Sequence, residues 1–167
     1  MTTGSMAADG RSDFDFLIGS WTVQNRRLRE RLADSDDWEE FGARAVVRPV
    51  LGGLGNVDRI SFGGPWSGHE GLTLRLFNPE SSEWSLHWAD NTSGRLFTRL
   101  VGSFRDGIGT FYAQEGFNGR QVFSRFIWSD CSEQRCRWEQ AFSADGGTTW
   151  ETNWTMLFTR EKTDSAF

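Results

Sequence analysis

Apolar and polar residues alternate with a period of two through most of the chain, and a helical period is nearly absent. Short runs rich in Trp, Phe, Val and Thr are separated by turn-forming residues at intervals of about 8–14 positions. Asp106-Gly107 and Asn118-Gly119 are the strongest hairpin signals, because type I′ turns need a positive φ at both central residues. The predicted strands begin near Trp21, Trp38, Gly55, Glu70, Glu83, Leu96, Gly109, Arg120, Arg135 and Thr148.

Sequential hairpins favour an antiparallel meander. A flat meander of about ten strands would expose two long edges, and closure of the sheet removes them. We therefore predict an all-β fold: a single antiparallel up-and-down barrel, preceded by a short helical turn near "SDFDFLIG". Residues 12–161 would form this domain, with a disordered tail over residues 1–11 and a second tail over residues 162–167.

Aromatic side chains are unusually frequent, with nine Trp and 14 Phe but one Tyr among 167 residues. At this density they need a wide apolar interior, an interface or a ligand to lie against. The net charge of −5, with Lys and Arg spread along the chain, argues against nucleic acid or an anionic membrane as a partner.

The N-terminus has no apolar run that could act as a signal peptide, and no later segment approaches membrane-spanning length. These features predict a cytoplasmic protein. In a reducing cytosol Cys131 and Cys136 are expected to be free thiols, although a cross-strand disulfide is conceivable. Neither His is near them in the sequence, so no metal site is expected.

The stretch "SADGGTTW", residues 143–150, resembles the Asp-box of the propeller blades of sialidases. A propeller needs several blades and a much longer chain. We therefore interpret the motif as a hairpin clip, in which Asp145 accepts hydrogen bonds from its own turn and Trp150 packs beneath the loop.

Gly19-Ser20-Trp21 resembles the G-x-W signature that opens the first strand of lipocalins and other calycin barrels. In those barrels the Trp closes the bottom and is covered by an Arg or Lys from the last strand, a position that Arg160 would take here. The stretches "FDFLIGSWTV", "VRPVLGGLGNVD", "GLTLRLFNP" and "RWEQAFSADGGTTWETNW" are similar to a bacterial family of lipocalin-like proteins with no settled activity. The resemblance implies a calycin-type barrel from about Asp13 to Arg160.

Nitrobindin-like barrels are weaker relatives, and they bind haem through a His late in the chain. This sequence has only His69 and His87, so that ligand is missing and no cofactor is expected.

Alternation also predicts which side chains face the barrel interior. On β-strand parity His87 faces outward, and Arg27 faces inward and needs a carboxylate partner, which Asp58, Asp90 or Glu115 could supply. The loop "GGPWSGHEG" around Trp66 is expected to be either a lid or a flexible connection. The apolar residues predicted to face inward include Leu72, Leu74, Leu76, Trp84, Leu86, Trp88, Phe126, Trp128, Trp138, Phe142, Trp150, Trp154, Met156 and Phe158.

Polar groups among aromatic walls are what a small-molecule pocket requires, although an internal Arg–Asp pair is also a common barrel filling. We predict a barrel that binds a small apolar or aromatic molecule. The candidate ligand-binding residues are Asn25, Arg27, Asn56, Asp58, Trp84, Trp88, Phe126, Trp138, Gln140, Phe142, Thr152, Trp154 and Met156.

Two alternatives remain open. The first is a cofactor-free isomerase, cyclase or dehydratase of a natural-product intermediate, with Asp58 or Glu115 as proton carrier and Arg27 as a polarising group. The second is a homodimeric interaction module with a filled barrel. Its dimer surface would include the outward side chains Phe77, Phe97, Phe123 and Ile127.

Overall fold

The computed structural model describes residues 9–167. Within this range ten antiparallel strands form one closed barrel in the order β1-β10-β9-β8-β7-β6-β5-β4-β3-β2, which confirms the predicted fold. The strands are β1 (Gly19–Leu28), β2 (Trp38–Val50), β3 (Gly55–Phe62), β4 (Glu70–Asn78), β5 (Glu83–Asp90), β6 (Leu100–Arg105), β7 (Ile108–Phe117), β8 (Arg120–Ser129), β9 (Arg135–Ser143) and β10 (Glu151–Arg160). Short 3₁₀ turns span Asp15–Leu17, Leu51–Gly53 and Gly64–Trp66. The first eight residues of the predicted N-terminal tail lie outside the described part.

The first and last strands close the barrel. β1 pairs with β10 from Trp21 opposite Arg160 to Arg27 opposite Trp154, so that each strand has two hydrogen-bonded neighbours. Closure leaves no unpaired strand edge in the sheet. No helix within residues 9–167 is long and apolar enough to cross a membrane.

One end of the barrel is closed by the contact predicted from the G-x-W resemblance. Trp21 is fully buried, and its indole Nε1 donates to the Leu17 carbonyl over 2.8 Å. The Arg160 guanidinium lies 4.2 Å from the centre of the Trp21 ring. The same guanidinium donates to the carbonyl oxygens of Phe16, Ile18 and Glu133. It therefore fixes the segment before β1 and the β8–β9 loop to the end of β10.

The segment before β1 supplies the apolar plug beneath this contact. Phe14 is buried, with ring centroids 5.0 Å from Trp84, 4.9 Å from Phe104 and 5.7 Å from Phe111. The Trp84 indole donates to the Gly10 carbonyl over 3.1 Å. The contacts with Trp84 and Phe104 are edge-to-face and that with Phe111 is stacked, and such pairs add to the free energy gained by burial, so this end is a packed core.

The interior face of β4 differs from the predicted one. Arg75 and Phe77 point inward, each only 4% exposed, whereas Leu72 lies on the outer face and is 38% exposed. The prediction that Leu72, Leu74 and Leu76 face inward is therefore wrong, as is the outward position expected for Phe77. The three leucines were assigned to the interior because they are apolar. The residues that actually face inward include Arg75, whose charge is neutralised by Asp58 on β3.

A β-bulge changes the faces of β10. The register with β9 shifts between Thr152 and Trp154, which leaves Asn153 as the extra residue. Trp154 consequently faces the interior, while Trp150 lies outside, with its ring 6.1 Å from Tyr112 and 4.3 Å from the Arg125 guanidinium. The inward positions predicted for Trp150 and Thr152 are wrong, since strict alternation does not anticipate an extra residue.

Two further predictions are corrected at the ends of strands. β6 begins at Leu100, and the preceding residues from Leu96 onward form a loop at the open end. Cys131 and Cys136 are joined by a disulfide, so the expected free thiols are wrong. The short β8–β9 connection brings their Cα atoms to 4.1 Å, close enough for the bond.

The Asp-box forms the predicted hairpin clip between β9 and β10. Asp145 accepts hydrogen bonds from the Ser143 hydroxyl at 2.8 Å and from the backbone N–H of Thr149 at 2.9 Å. The Trp150 indole donates to the Gly147 carbonyl over 3.1 Å. Hydrogen bonds from Thr149 and Ser143 lower the pKa of Asp145 to about 2.

The clip makes stability depend on pH in a defined window. Because the folded-state pKa of Asp145 lies below its ordinary value of 3.8, its contribution is present above pH 3.8 and is lost as the pH falls through about 2. We expect Asp145→Ala to lower the melting temperature at pH 6 and the difference from the wild type to narrow between pH 4 and pH 2. Thermal unfolding followed by circular dichroism measures both. Asp36→Ala, in the exposed β1–β2 loop, is the control, and a pH-independent difference for Asp145→Ala would contradict this account.

The closing contact also makes a prediction about stability. Arg160→Ala removes the guanidinium from Trp21 and leaves three carbonyl oxygens without their donor, so we expect a loss of about 3 kcal/mol in the free energy of unfolding. Arg135→Ala is the matched control, because Arg135 is exposed near the same end and donates no side-chain hydrogen bond within residues 9–167. Urea denaturation compares the two variants. Equal losses would show that Arg160 does not hold the closed end.

Candidate ligand-binding cavity

The barrel contains a cavity of about 630 Å³ above the packed end. It opens at the opposite end, where three loops contribute lining residues. These are Arg31 from the β1–β2 loop, Trp66 and His69 from the β3–β4 loop, and the residues from Arg95 to Thr98 from the β5–β6 loop. The side chains of ten strands therefore do not fill the interior, and the remaining space is reached through loops.

Aromatic rings form the walls of this cavity. Trp138 lies at the centre, with its ring 4.9 Å from Phe126 and 5.6 Å from Trp154. Phe62 extends the wall 6.0 Å from Trp154. At the bottom, Trp128 and Phe158 are 5.4 Å apart and separate the cavity from the plug. The rings present flat apolar faces to the space between them.

A buried ion pair lies low in the cavity. Arg75 donates from one nitrogen to Asp58 at 2.5 Å and from another to Asn56 at 2.9 Å. The second oxygen of Asp58 accepts the Thr73 backbone N–H at 3.0 Å. Asp58 was predicted as a partner of Arg27, and its actual partner is Arg75. Both Asp58 oxygens accept hydrogen bonds, so this carboxylate stabilises the buried charge of Arg75.

Two amide side chains are tied to the wall. The Gln140 amide nitrogen donates to Asn153, the bulged residue, over 2.8 Å. Asn25 accepts the Trp154 indole N–H at 3.0 Å and therefore fixes the orientation of that ring. Gln140 lines the cavity, and no donor within the described residues reaches its carbonyl oxygen.

Arg27 lies at the mouth of the cavity between two indoles. Its guanidinium is 4.8 Å from the Trp66 ring and 5.1 Å from the Trp154 ring. The nearest carboxylate is Glu39 at 4.0 Å, rather than Asp58, Asp90 or Glu115 as predicted. Burial lowers the pKa of Arg27, an effect that the Glu39 charge opposes.

Arg31 reaches the same mouth from the β1–β2 loop. It lies over Phe117 at 4.8 Å and Phe142 at 5.3 Å. Burial, and then the positive charge of Arg27, lower the pKa of Arg31 to about 10. Glu115 also lines the cavity, and burial raises its pKa against the opposing effect of Arg31. The mouth thus combines two cations with the half-buried carboxyl group of Glu115 and the carboxylate of Glu39.

Most of the predicted site residues line this one cavity. They are Arg27, Asp58, Trp88, Glu115, Phe126, Trp138, Gln140, Phe142, Trp154 and Met156. Four others do not: Asn25 is buried behind Trp154, Asn56 behind Arg75, Trp84 belongs to the plug, and Thr152 is on the outer face.

Sequence reasoning missed Arg75 and Arg31. Arg75 has the same parity as Phe77, and the neighbouring strand carries Asp58, so the sequence did contain a signal for this pair. It was overlooked because Arg27 offered another inward cation that Asp58 could neutralise. Arg31 lies beyond the end of β1, where alternation gives no information about direction. Trp66, predicted in a loop that was either a lid or a connection, covers part of the mouth and donates to Glu39 at 2.9 Å.

The chain matches no protein-family model and no curated protein. Within residues 9–167, no group of three or more His, Cys, Asp and Glu side chains could hold a metal ion. The geometry defines a closed ten-stranded barrel with an aromatic cavity that is open at one end.

The buried pair predicts strong coupling between Asp58 and Arg75. Asp58→Leu leaves a buried guanidinium without its carboxylate, so we expect a loss of about 3 kcal/mol in the free energy of unfolding. Replacing both residues, as Asp58→Leu with Arg75→Met, should recover most of that loss because no unpaired charge remains. Urea denaturation of the single and double variants measures the coupling.

Arg59→Met is the control for this cycle. Arg59 is the neighbour of Asp58 on β3 and forms an exposed ion pair with Glu70 at 2.8 Å, so its removal should cost less than about 1 kcal/mol. Additive losses in the double variant would show that Asp58 and Arg75 do not act as a pair.

Proposed function

We propose that this protein is a lipocalin-like barrel that binds a small apolar or aromatic molecule. The observation that carries the proposal is the cavity of about 630 Å³, which a packed structural barrel would not retain. Ligand pockets are commonly of about 300–1,000 Å³ and are lined mainly by apolar and aromatic side chains. The walls around Trp138, Phe126 and Trp154 meet that description.

Polar groups in the cavity fit this function. Arg27 and Gln140 can orient a ligand, since neither the Gln140 carbonyl oxygen nor the Arg27 guanidinium forms a hydrogen bond with another described residue. Asp58 and Arg75, by contrast, neutralise each other and supply the polar floor of the site. A ligand would lie with its apolar body among the rings and its polar atoms toward the mouth.

The other functional predictions stay predictions. If the barrel catalyses an isomerase, cyclase or dehydratase reaction, Glu115 is the better proton carrier, because both oxygens of Asp58 are engaged. For a homodimer, Phe123 and Ile127 remain candidates, whereas Phe77 is buried and Phe97 lines the cavity. The cytoplasmic location and the membership of the lipocalin-like family likewise stay predictions.

The binding function is tested with N-phenyl-1-naphthylamine, an uncharged aromatic probe that fluoresces in apolar surroundings. We expect saturable binding by the wild type, with energy transfer from the cavity tryptophans. Thr73→Trp should weaken binding by about tenfold or more, because Thr73 lines the cavity and the indole would occupy it.

Leu72→Trp is the matched control, since Leu72 precedes Thr73 on β4 and faces outward. It should bind the probe like the wild type. Absence of saturable binding to the wild type would overturn the proposal, as would equal effects of the two variants. If the wild type binds the probe and Thr73→Trp does not, untargeted mass spectrometry of small molecules that co-purify with the protein is the way to identify the natural ligand.

A further inference from the structure

We propose that Arg27 and Arg31 form an anion-binding subsite at the cavity mouth, and that the ligand is an amphipathic organic anion. The inference rests on the proposed binding function and specifies the class of ligand. Such a molecule would place its apolar or aromatic body against the walls and its charged group between the two guanidinium groups.

The first observation is the environment of Arg27. Its side chain is only 15% exposed, and its guanidinium lies between the rings of Trp66 and Trp154. Aromatic rings cover the faces of a stacked guanidinium but leave its N–H donors free at the edge. The Nε of Arg27 is buried without a hydrogen-bond partner in the described residues, and the Glu39 contact at 4.0 Å is too long for a hydrogen bond. Arg27 thus retains donors that the protein does not use.

The second observation is that Arg31 repeats this arrangement. It also lies over two rings, and within residues 9–167 it forms neither an ion pair nor a side-chain hydrogen bond. Both guanidinium groups line the cavity, and burial together with the positive charge of Arg27 lowers the pKa of Arg31. Two neighbouring cations in a partly desolvated mouth are stabilised most effectively by an anion between them.

The carboxylates around these cations are mostly engaged elsewhere. Glu39 accepts the Trp66 indole N–H at 2.9 Å and lies 3.6 Å from Arg29. Glu151 accepts the backbone N–H of Leu32 at 2.8 Å. Glu115 faces Arg31 across the mouth without forming an ion pair among the described residues. None of these carboxylates accepts a hydrogen bond from Arg27 or Arg31 within residues 9–167, so the donors of both guanidinium groups remain open to a ligand.

The other arginines of the cavity do not provide an equivalent subsite. Arg75 is paired with Asp58 and Asn56 at the floor. Arg95 is exposed at the rim, where it lies 4.7 Å from the Phe97 ring. An anion is consequently held at the mouth rather than at the floor, which orients an amphipathic ligand with its apolar end inward.

Two probes with the same ring skeleton test the subsite: 8-anilinonaphthalene-1-sulfonate, in which the sulfonate represents the anionic group of the ligand, and uncharged N-phenyl-1-naphthylamine. We expect the wild type to bind the anionic probe about tenfold or more tightly than the neutral one. Arg27→Gln and Arg31→Gln should each weaken anionic binding by about tenfold while changing the neutral dissociation constant less than about twofold. Fluorescence titration at fixed ionic strength measures the six dissociation constants, two for each of the three proteins.

Arg26→Gln is the matched control. Arg26 is adjacent to Arg27 on β1 but points outward, 4.3 Å from the Trp38 ring, so the variant removes one charge without altering the mouth. It should keep the preference of the wild type for the anion. Arg27→Lys, which retains the charge, should keep part of the preference and shows whether a loss in Arg27→Gln reflects charge rather than misfolding. Arg31 lies in a loop, so its variant provides a second test if Arg27→Gln does not fold.

The outcomes separate the two proposals. If the neutral probe binds and the anionic probe has no advantage, the anion subsite is wrong and the binding function stands. An equal loss of preference in Arg26→Gln would also overturn the subsite, because a general surface charge would then explain it. If neither probe binds the wild type, the binding function itself is overturned.

Discussion

The pairing of β1 with β10 is the interaction on which the rest of the structure depends. Residues separated by most of the chain length, such as Trp21 and Arg160, must meet before the sheet has a defined interior. Closure with ten strands fixes a circumference wider than the side chains can fill. The plug around Phe14 fills one end of that space, and the cavity is what remains. The binding proposal is therefore a consequence of strand number and closure as much as of individual side chains.

The interior changes its chemistry along the barrel axis. Aromatic packing and the Arg160 contact close one end, and the pair of Arg75 with Asp58 forms a neutralised layer above it. Above that layer the walls are aromatic, and Arg27 and Arg31 complete the mouth. Each of these cations is stacked on aromatic rings, but only Arg75 donates hydrogen bonds to a carboxylate and an amide. This difference separates Arg75, whose charge is neutralised within the fold, from Arg27 and Arg31, which we propose to bind the anionic group of a ligand.

The sequence predicts the fold well because closure, hairpin turns and strand number all follow from local patterns. It predicts the composition of the site less completely, and the errors have two physical causes. On β4, hydrophobic alternation predicted that three leucines face inward. The inward residue is instead Arg75, because its ion pair with Asp58 on the neighbouring strand stabilises the buried charge. One extra residue at Asn153 reversed the faces of the start of β10, and a bulge has no signal in apolar periodicity. Arg31 was missed because a loop residue has no parity to follow.

The two ends of the barrel are held by different kinds of structure, and this asymmetry has a kinetic consequence. The disulfide, the Arg160 guanidinium and the buried aromatic cluster all lie at one pole, whereas the opposite pole is bordered by loops. On the proposed function, a ligand would exchange through rearrangement of those loops while the sheet stays intact, so its residence time and the rate of global unfolding would have separate structural determinants. Substitutions in the three loops that line the cavity would therefore change the residence time of a ligand more than the lifetime of the fold, which the clip between β9 and β10 helps to set.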